Sequence, residues 1–137
     1  MGEVRIKATI TNAVDEVLAR RGQIPSAEIR RYEADAMVDT EAVRSVIPSH
    51  VAQGLGLGNR GQRVVEYADG RKEAVDVTDA VIISILDRDT LEEALVLGDE
   101  VLIGQTVLKK LDLLVDCNNQ RIMPNPAHPD QPVTKVK

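Results

Sequence analysis

Few side chains in this sequence have the type and spacing that catalysis or metal binding requires. His50 and His128 lie far apart, have no cysteine nearby and lack the spacing of a zinc site, so we interpret both as surface histidines. Ser45 and Ser49 lie close to His50, but a catalytic triad is defined by geometry, which sequence proximity does not establish. The single cysteine, Cys117, has no activating neighbour, and we interpret it as a bystander.

A carboxylate is a better candidate for a catalytic side chain. Polar and apolar residues alternate over residues 30–39, the period of a half-buried strand, and Asp39 and Thr40 stand at its end. The same two residues could cap a helix beginning at Glu41, because both are good N-caps and acidic residues suit a first turn. The following residues are rich in β-branched types, and Pro48 ends the segment after barely two turns, which disfavours the helix. The residues alone leave both interpretations open.

A glycine-rich segment at residues 56–61 has the G-x-G-x-x-G spacing of dinucleotide-binding loops. It follows a predicted helix, however, whereas such loops follow a strand, and no clear helix comes after it. We therefore interpret the segment as a loop with a helix cap.

Hydrophobic periodicity predicts a mostly β chain with two or three short helices. The predicted strands cover residues 4–10, 30–39, 43–47, 64–67, 73–77, 81–86, 94–97, 101–103, 113–116 and 121–123, and the last two are expected to close the sheet. Helices are predicted over residues 13–20, capped by Asn12, after Pro48, and over residues 106–111. The charged residues Arg88, Asp89, Glu92 and Glu93 are interpreted as a solvated turn.

A hairpin is predicted around Ala68, Asp69 and Gly70. Asp-Gly between two strand-like runs is a strong signal for a tight turn in which both central residues have positive φ. An ordinary surface hairpin explains the signal as well as a hairpin with a functional role does.

Composition limits the classes of function. The chain has 137 residues and a net charge of -5, and its basic residues are scattered, which argues against a nucleic-acid surface. No apolar run is long enough to cross a membrane. One cysteine and no charged-then-apolar leader favour a cytoplasmic location.

One domain is expected over residues 1–123, of which residues 1–29 form an N-terminal extension of uncertain role. Phe and Trp are absent, so the core must be built from Val, Ile, Leu and Ala. Residues 124–137 contain four prolines and are predicted to form an extended tail, either packed over the body or loose.

Four segments in chain order carry a resemblance to a known family. They are Ala-Met-Val-Asp-Thr-Glu-Ala at residues 36–42, Ser-Val-Ile-Pro at 45–48, Tyr-Ala-Asp-Gly at 67–70, and Val-Leu-Ile-Gly at 101–104 followed by a helix. Together they resemble the retropepsin-like aspartic peptidases of clan AA, most closely the small bacterial single-lobe members. The resemblance runs from about residue 30 to residue 123. It departs at Glu41, where the family has glycine.

The resemblance implies a single-lobe, acid-protease β-barrel that acts as a homodimer on an extended peptide, without metal or cofactor. It implies that Asp39 is catalytic and that Thr40 holds the two active-site loops together across the dimer axis. The segment 67–70 would be a flap over the substrate. Substrate-binding positions implied by the resemblance are Glu41, Ala42, Tyr67, Ala68, Asp69, Gly70, Leu102, Ile103 and Gly104.

This chemistry needs two carboxylates that share one proton, because two like charges about 3 Å apart cannot both ionise. The sequence holds no second copy of the Asp39 segment, so the partner carboxylate must come from a second chain. Two Glu41 side chains would add negative charge nearby, and charges ~6 Å apart repel by roughly 3 kcal/mol at an effective dielectric constant of ~20. The alternative function is therefore a catalytically impaired homodimer that binds a peptide or protein.

Overall fold

One curled, nine-stranded sheet dominates the computed structural model, which describes residues 3–136. Residues 1–2 and 137, at the ends of the predicted extension and tail, lie outside the described residues. The strands are β1 (Val4–Asn12), β2 (Arg31–Val38), β3 (Val46–Ile47), β4 (Asn59–Glu66), β5 (Lys72–Thr78), β6 (Val81–Ile85), β7 (Arg88–Glu92), β8 (Leu95–Val96), β9 (Leu102–Ile103), β10 (Leu113–Asp116) and β11 (Arg121–Pro124). The mostly β fold predicted from sequence is confirmed.

Three short α-helices connect these strands, together with a 3₁₀ turn at Ser26–Glu28. They are α1 (Ala13–Arg20), α2 (Ser49–Gly54) and α3 (Gln105–Leu111). Each lies within a residue or two of its predicted position. None of the helices within residues 3–136 is long and apolar enough to span a membrane.

The sheet order is β4-β5-β8-β3-β9-β2-β1-β6-β7. Most pairs are antiparallel, but β2 pairs with β9 in parallel, as does β3 with β8. These short parallel pairs join the middle of the chain to its C-terminal third. They bring the end of β2, where Asp39 follows, next to the end of β9.

The main core lies inside the curl of the sheet and is aliphatic. Ile10, Ile83, Ile103 and Leu111 are each at most 1% exposed. A second, smaller cluster of valine and leucine side chains lies at the base of the β4–β5 hairpin, formed by Val46, Val75, Val77 and Leu95. Burying each such side chain contributes roughly 1.5–3 kcal/mol, which compensates for the missing large aromatic residues.

Helix α1 is fixed at its start by a buried polar cluster. The side chain of Asn12 accepts a hydrogen bond from Asp15 N (3.1 Å) and donates one to the Leu55 carbonyl (2.7 Å). Asp15 is 5% exposed and accepts hydrogen bonds from the backbone N–H, Nε and Nη2 of Arg30 at 2.9–3.0 Å. These contacts hold α1 against the segment that leads into β2.

The interpretation of the charged segment 88–93 as a solvated turn was wrong. Five of its residues form β7, and Arg88 is 7% exposed. Its guanidinium donates to the carbonyls of Leu111 (2.9 Å), Asp112 (3.0 Å) and His128 (2.7 Å). A buried cation is tolerated here because carbonyl oxygens satisfy its donors.

The last two strands also differ from expectation. They do not close the large sheet, because among residues 3–136 β10 and β11 pair only with each other, in a separate two-stranded sheet. Pro124 at the end of β11 has no N–H to continue a ladder, which agrees with this short hairpin.

The proline-rich tail is held to Asp112 by hydrogen bonds as far as residue 133, although residues 129–133 are exposed. Asp112 has left-handed φ (57°) and accepts hydrogen bonds from Asn125 Nδ2 (3.0 Å) and Val133 N (3.1 Å). His128 Nδ1 lies 2.6 Å from the same carboxylate. The interpretation of His128 as a surface histidine is thereby corrected, since its side chain is only 29% exposed. The Asn125 amide is the main cause of the lowered pKa of Asp112.

Replacing Asp15 tests the cluster that fixes α1. Hydrogen bonds from Arg30 lower the pKa of Asp15, so its carboxylate stabilises the fold above the unfolded pKa of about 3.9 and loses that effect as the pH falls through the folded value. We expect Asp15→Asn to lower the free energy of unfolding by about 2 kcal/mol at pH 7. Urea denaturation of the variant and wild type at pH 7 and pH 3 measures this, and the difference should shrink at pH 3. The exposed Asp35→Asn is the control, and an equal loss in both variants contradicts a specific role for Asp15.

Candidate active site

Asp39 is placed by the parallel pairing of β2 with β9. Val38 stands opposite Ile103 in this pair, and Asp39 N donates to the Ile103 carbonyl at 3.0 Å. The residue is half-buried at the strand end, and its Oδ1 accepts a hydrogen bond from Glu41 N at 3.0 Å. The carboxylate is thereby oriented by its own loop and remains accessible.

The loop that follows Asp39 is held by the first turn of α3. Gln105 N donates to the Ala42 carbonyl (2.8 Å), and both Thr106 N (3.1 Å) and Thr106 Oγ1 (2.9 Å) donate to the Val43 carbonyl. The Gln105 side chain donates to the Thr40 carbonyl. The first N–H groups of any helix lack partners within it, and here the loop carbonyls satisfy them.

Gly104 makes this arrangement sterically possible. A Cβ atom at this position would lie 2.7 Å from the carbonyl carbon and oxygen of Arg44 and 2.9 Å from the Val43 oxygen. Gly104 N also donates to the hydroxyl of Ser45, which is 1% exposed. Gly104 and Ser45 therefore support the loop from beneath, and sequence reasoning did not identify that role for Ser45.

A cavity of about 240 Å³ brings together Asp39, Thr40 and Glu41. Its remaining lining comes from the start of β1, the end of β2 and the segment around β10: Glu3, Val4, Met37, Val38, Val115 and Cys117. The contributions of Val115 and Cys117 were missed from sequence because they follow Asp39 by more than seventy residues. The cavity is thus lined by apolar side chains together with three carboxylates, those of Glu3, Asp39 and Glu41.

The hairpin of β4 and β5 lies where the sequence predicts a hairpin, with a different turn from the one expected. Gly70 has φ of 88°, whereas Asp69 does not have positive φ, and Gly70 N donates to the Tyr67 carbonyl at 2.9 Å. This is a three-residue loop with glycine in the left-handed position. The expectation of two positive φ values was therefore wrong.

Side chains at the hairpin tip contact one another. Tyr67 donates its hydroxyl hydrogen to Glu73 (2.5 Å), which raises the pKa of Tyr67, and the Arg71 guanidinium lies 4.6 Å from the centre of the tyrosine ring. The Arg71 N–H donates to Asp69 and lowers the pKa of that carboxyl group. None of these residues lines the cavity that contains Asp39.

Four other predicted substrate-binding positions occupy four different environments. Ala42 is half-buried in the loop after Asp39, and Leu102 is half-buried against the small apolar cluster beneath the hairpin. Ile103 is fully buried in the main core, so its side chain supports the site from inside and does not line it. Gly104 packs against the backbone of Val43 and Arg44 and donates its N–H to the Ser45 hydroxyl. Within the described part of the chain, no three His, Cys, Asp or Glu side chains come together to hold a metal ion.

A solved structure shows the same architecture. The retroviral protease-like domain of Ddi1 from Leishmania major aligns with a TM-score of 0.55 and 15% identity, covering 92% of this chain and 90% of that one. This chain has a retropepsin-like fold. The Simian Foamy Virus (mac) protease aligns with a TM-score of 0.48 and 14% identity, over 76% of this chain and 90% of that chain. No protein family model matches the sequence, and no curated protein matches it either.

Glu41 fits the backbone of this retropepsin-like fold without strain. Among the described residues, the non-glycine positions with positive φ are Leu86, Asp87, Asp112 and Gln120, and Glu41 does not belong to this set. Its side chain is exposed beside Asp39. The absence of glycine at this position therefore imposes no conformational cost within one chain.

Gly104→Ala tests the close approach beneath the loop. The added methyl group must displace the backbone of Arg44, and we expect a loss of about 1–3 kcal/mol in the free energy of unfolding. Gly54→Ala is the matched control, since nothing lies within 4 Å of the Cβ position there and Gly54 ends helix α2. Thermal unfolding of both variants measures the difference. Equal stability of the two would show that the loop yields without cost.

Proposed function

We propose that this protein is an aspartic endopeptidase whose active site forms between two copies of the chain. The observation that carries the proposal is the accessible carboxylate of Asp39, held at the end of β2 in a cavity of a retropepsin-like fold. In the proposed homodimer, Asp39 and the partner's Asp39 form a dyad. Thr40 would join the two loops across the axis, and the β4–β5 hairpin would cover an extended peptide.

The proposed chemistry follows from the symmetry. Two carboxylates in contact retain one proton between them, so one acts as the base that activates a water molecule and the other donates to the carbonyl oxygen of the peptide. The hydrogen bond from Glu41 N to Asp39 Oδ1 leaves Oδ2 free of a partner within residues 3–136. Oδ2 is the atom that we propose faces the water and the partner's carboxyl group.

The outer edge of β10 supports a position for the dimer contact. Among residues 3–136, β11 is the one segment whose backbone pairs with β10, which leaves the other edge of that strand free. The strand is mostly apolar, Leu114 is 44% exposed, and Val115 lines the Asp39 cavity. Antiparallel pairing of β10 with its copy is self-complementary, as a two-fold axis requires.

A second candidate is a homodimer of the same kind that binds a peptide or protein without cleaving it. The exposed carboxylate of Glu41 beside Asp39 favours this candidate, because two such side chains would concentrate negative charge where the dyad must share a proton. Both candidate functions use the same groove to bind a peptide, and they differ in whether the peptide is cleaved.

Cleavage of an unstructured protein substrate from acidic to neutral pH tests the proposed activity. We expect wild type to cleave it and Asp39→Asn to lose at least about a hundredfold in rate, because the amide can neither share nor release the proton. The exposed Asp35→Asn is the control and should retain wild-type activity.

Glu41→Gly in the same assay separates the two candidate functions. Cleavage by Asp39→Asn at the wild-type rate would end the aspartic peptidase assignment. Activity that arises only in Glu41→Gly would support the second candidate, in which the natural chain binds without turnover.

Leu114→Lys tests the proposed dimer contact. A charge on the free edge of β10 should dissociate the dimer and abolish cleavage while leaving the subunit folded, because Leu114 is already exposed. Val14→Lys places the same charge on α1, at a site of similar exposure (48%), and should change neither property. Sedimentation velocity and the cleavage assay measure both effects. If the Leu114→Lys variant dimerises with wild-type affinity, the dimer contact does not lie at the edge of β10.

A further inference from the structure

Three arginines from two separate parts of the chain converge on one carboxylate beside the proposed substrate groove. Glu93 accepts hydrogen bonds from Arg44 Nη2 and from Arg60 Nη1, both at 2.9 Å, and Arg63 Nη2 lies 3.7 Å away. Arg44 follows Asp39 by five residues, whereas Arg60 and Arg63 belong to β4 of the flap-like hairpin. The cluster therefore joins the active-site loop to the base of the hairpin.

Positive charge exceeds negative charge at this place. Lys110 Nζ also contributes, 2.5 Å from Glu92 Oε2, so four cationic side chains surround two carboxylates. The chain as a whole carries a net charge of -5, which makes the local surplus of two positive charges a distinct feature. Hydrogen bonding from Arg44 is the main cause of the lowered pKa of Glu93, so this carboxylate is ionised at neutral pH and is already included in the balance.

An open groove lies beside these charged side chains. A hollow of about 440 Å³ lies beside the cluster, and a second of about 200 Å³ adjoins it along β4. The first is lined by Arg44, Arg60, Ala80, Leu91, Glu92, Glu93, Thr106 and Lys110, and the second includes Arg63. Arg44 is held with 23% of its side chain exposed, whereas Arg60 and Arg63 are more than half exposed and can turn toward a ligand.

We infer that this groove binds an acidic side chain of the peptide substrate, several residues away from the bond to be cleaved. The inference rests on the proposed function, in which an extended peptide runs between the hairpin and the Asp39 loop. Such a peptide leaves the site past Arg44 and along β4. A carboxylate there forms charge-assisted hydrogen bonds with guanidinium groups that share a single protein carboxylate between them.

Peptide binding by the full chain carrying Asp39→Asn tests the inference without requiring cleavage. The probes are fluorescein-labelled extended peptides that differ only in whether one position carries Glu or Gln, with that position moved along the peptide. We expect Glu to tighten binding by about fivefold to tenfold at a position away from the centre, and added salt to reduce this preference. Fluorescence anisotropy measures the dissociation constants.

Variants of the cluster separate a binding site from a structural ion-pair network. Arg60→Gln with Arg63→Gln should remove the preference for Glu, whereas Arg20→Gln on α1, a similarly exposed arginine, should leave it unchanged. Glu93→Gln should increase the preference, because it removes the protein's own carboxylate from the arginines. A purely structural network predicts no such gain. If Glu93→Gln does not fold, the pair of arginine variants decides.

The outcomes distinguish this inference from the proposed function. A preference for Glu that survives in the double arginine variant, or the absence of any preference, overturns the inference and leaves the peptidase proposal untouched. Arginine-dependent binding of Glu peptides that wild type never cleaves supports the inference and counts against peptidase activity.

Discussion

The close approach of Gly104 to the backbone of Arg44 is the contact on which the candidate site depends. It allows the first turn of α3 to lie against the loop after Asp39, so that Gln105 N and Thr106 N reach the loop carbonyls. The same approach places Ser45 Oγ on Gly104 N. Without it, the loop would lose its hydrogen-bond partners, and the orientation of Asp39 at the end of β2 would no longer be fixed.

Charge is distributed unevenly along the proposed groove. Glu3, Asp39 and Glu41 line the central cavity, whereas Arg44, Arg60 and Arg63 surround the flanking hollow. An extended peptide that crosses both therefore meets opposite potentials at its centre and toward its end. Such a pattern selects by register as well as by composition, because a shift of one residue moves each side chain to the opposite face.

Sequence periodicity predicted most of the fold, because the aliphatic core imposes clear alternation on strands such as β1 and β2. It failed at β7, where Arg88 is buried through hydrogen bonds to carbonyls that no local pattern reveals. The separate β10–β11 hairpin was missed for a related reason, since which strands pair is decided by tertiary packing. In both cases the deciding partners are distant in the chain.

The candidate site shows the same division between local and distant information. The strand that ends before Asp39 and the hairpin around Gly70 were predicted from sequence because each lies within a short motif. The other contacts of the site join residues that are distant in the chain. Ser45, which supports the loop, is 59 positions from Gly104, and Arg44 is 49 positions from Glu93. Composition had suggested scattered basic residues, and folding brings three of them together.

The backbone conformation of Glu41 shows which consequences follow from replacing the glycine of the motif. Glycine after Asp-Thr could be required for its φ angle or for close approach of another backbone, and the side chain of Glu41 is exposed, so no backbone of this chain crowds it. Glu41 does not adopt positive φ and donates its N–H to Asp39, so the first requirement does not apply. Any cost of this side chain must therefore arise between subunits or against a peptide. Any effect of Glu41 on the proposed dyad is consequently intermolecular, and its electrostatic part weakens as salt screens the exposed carboxylates.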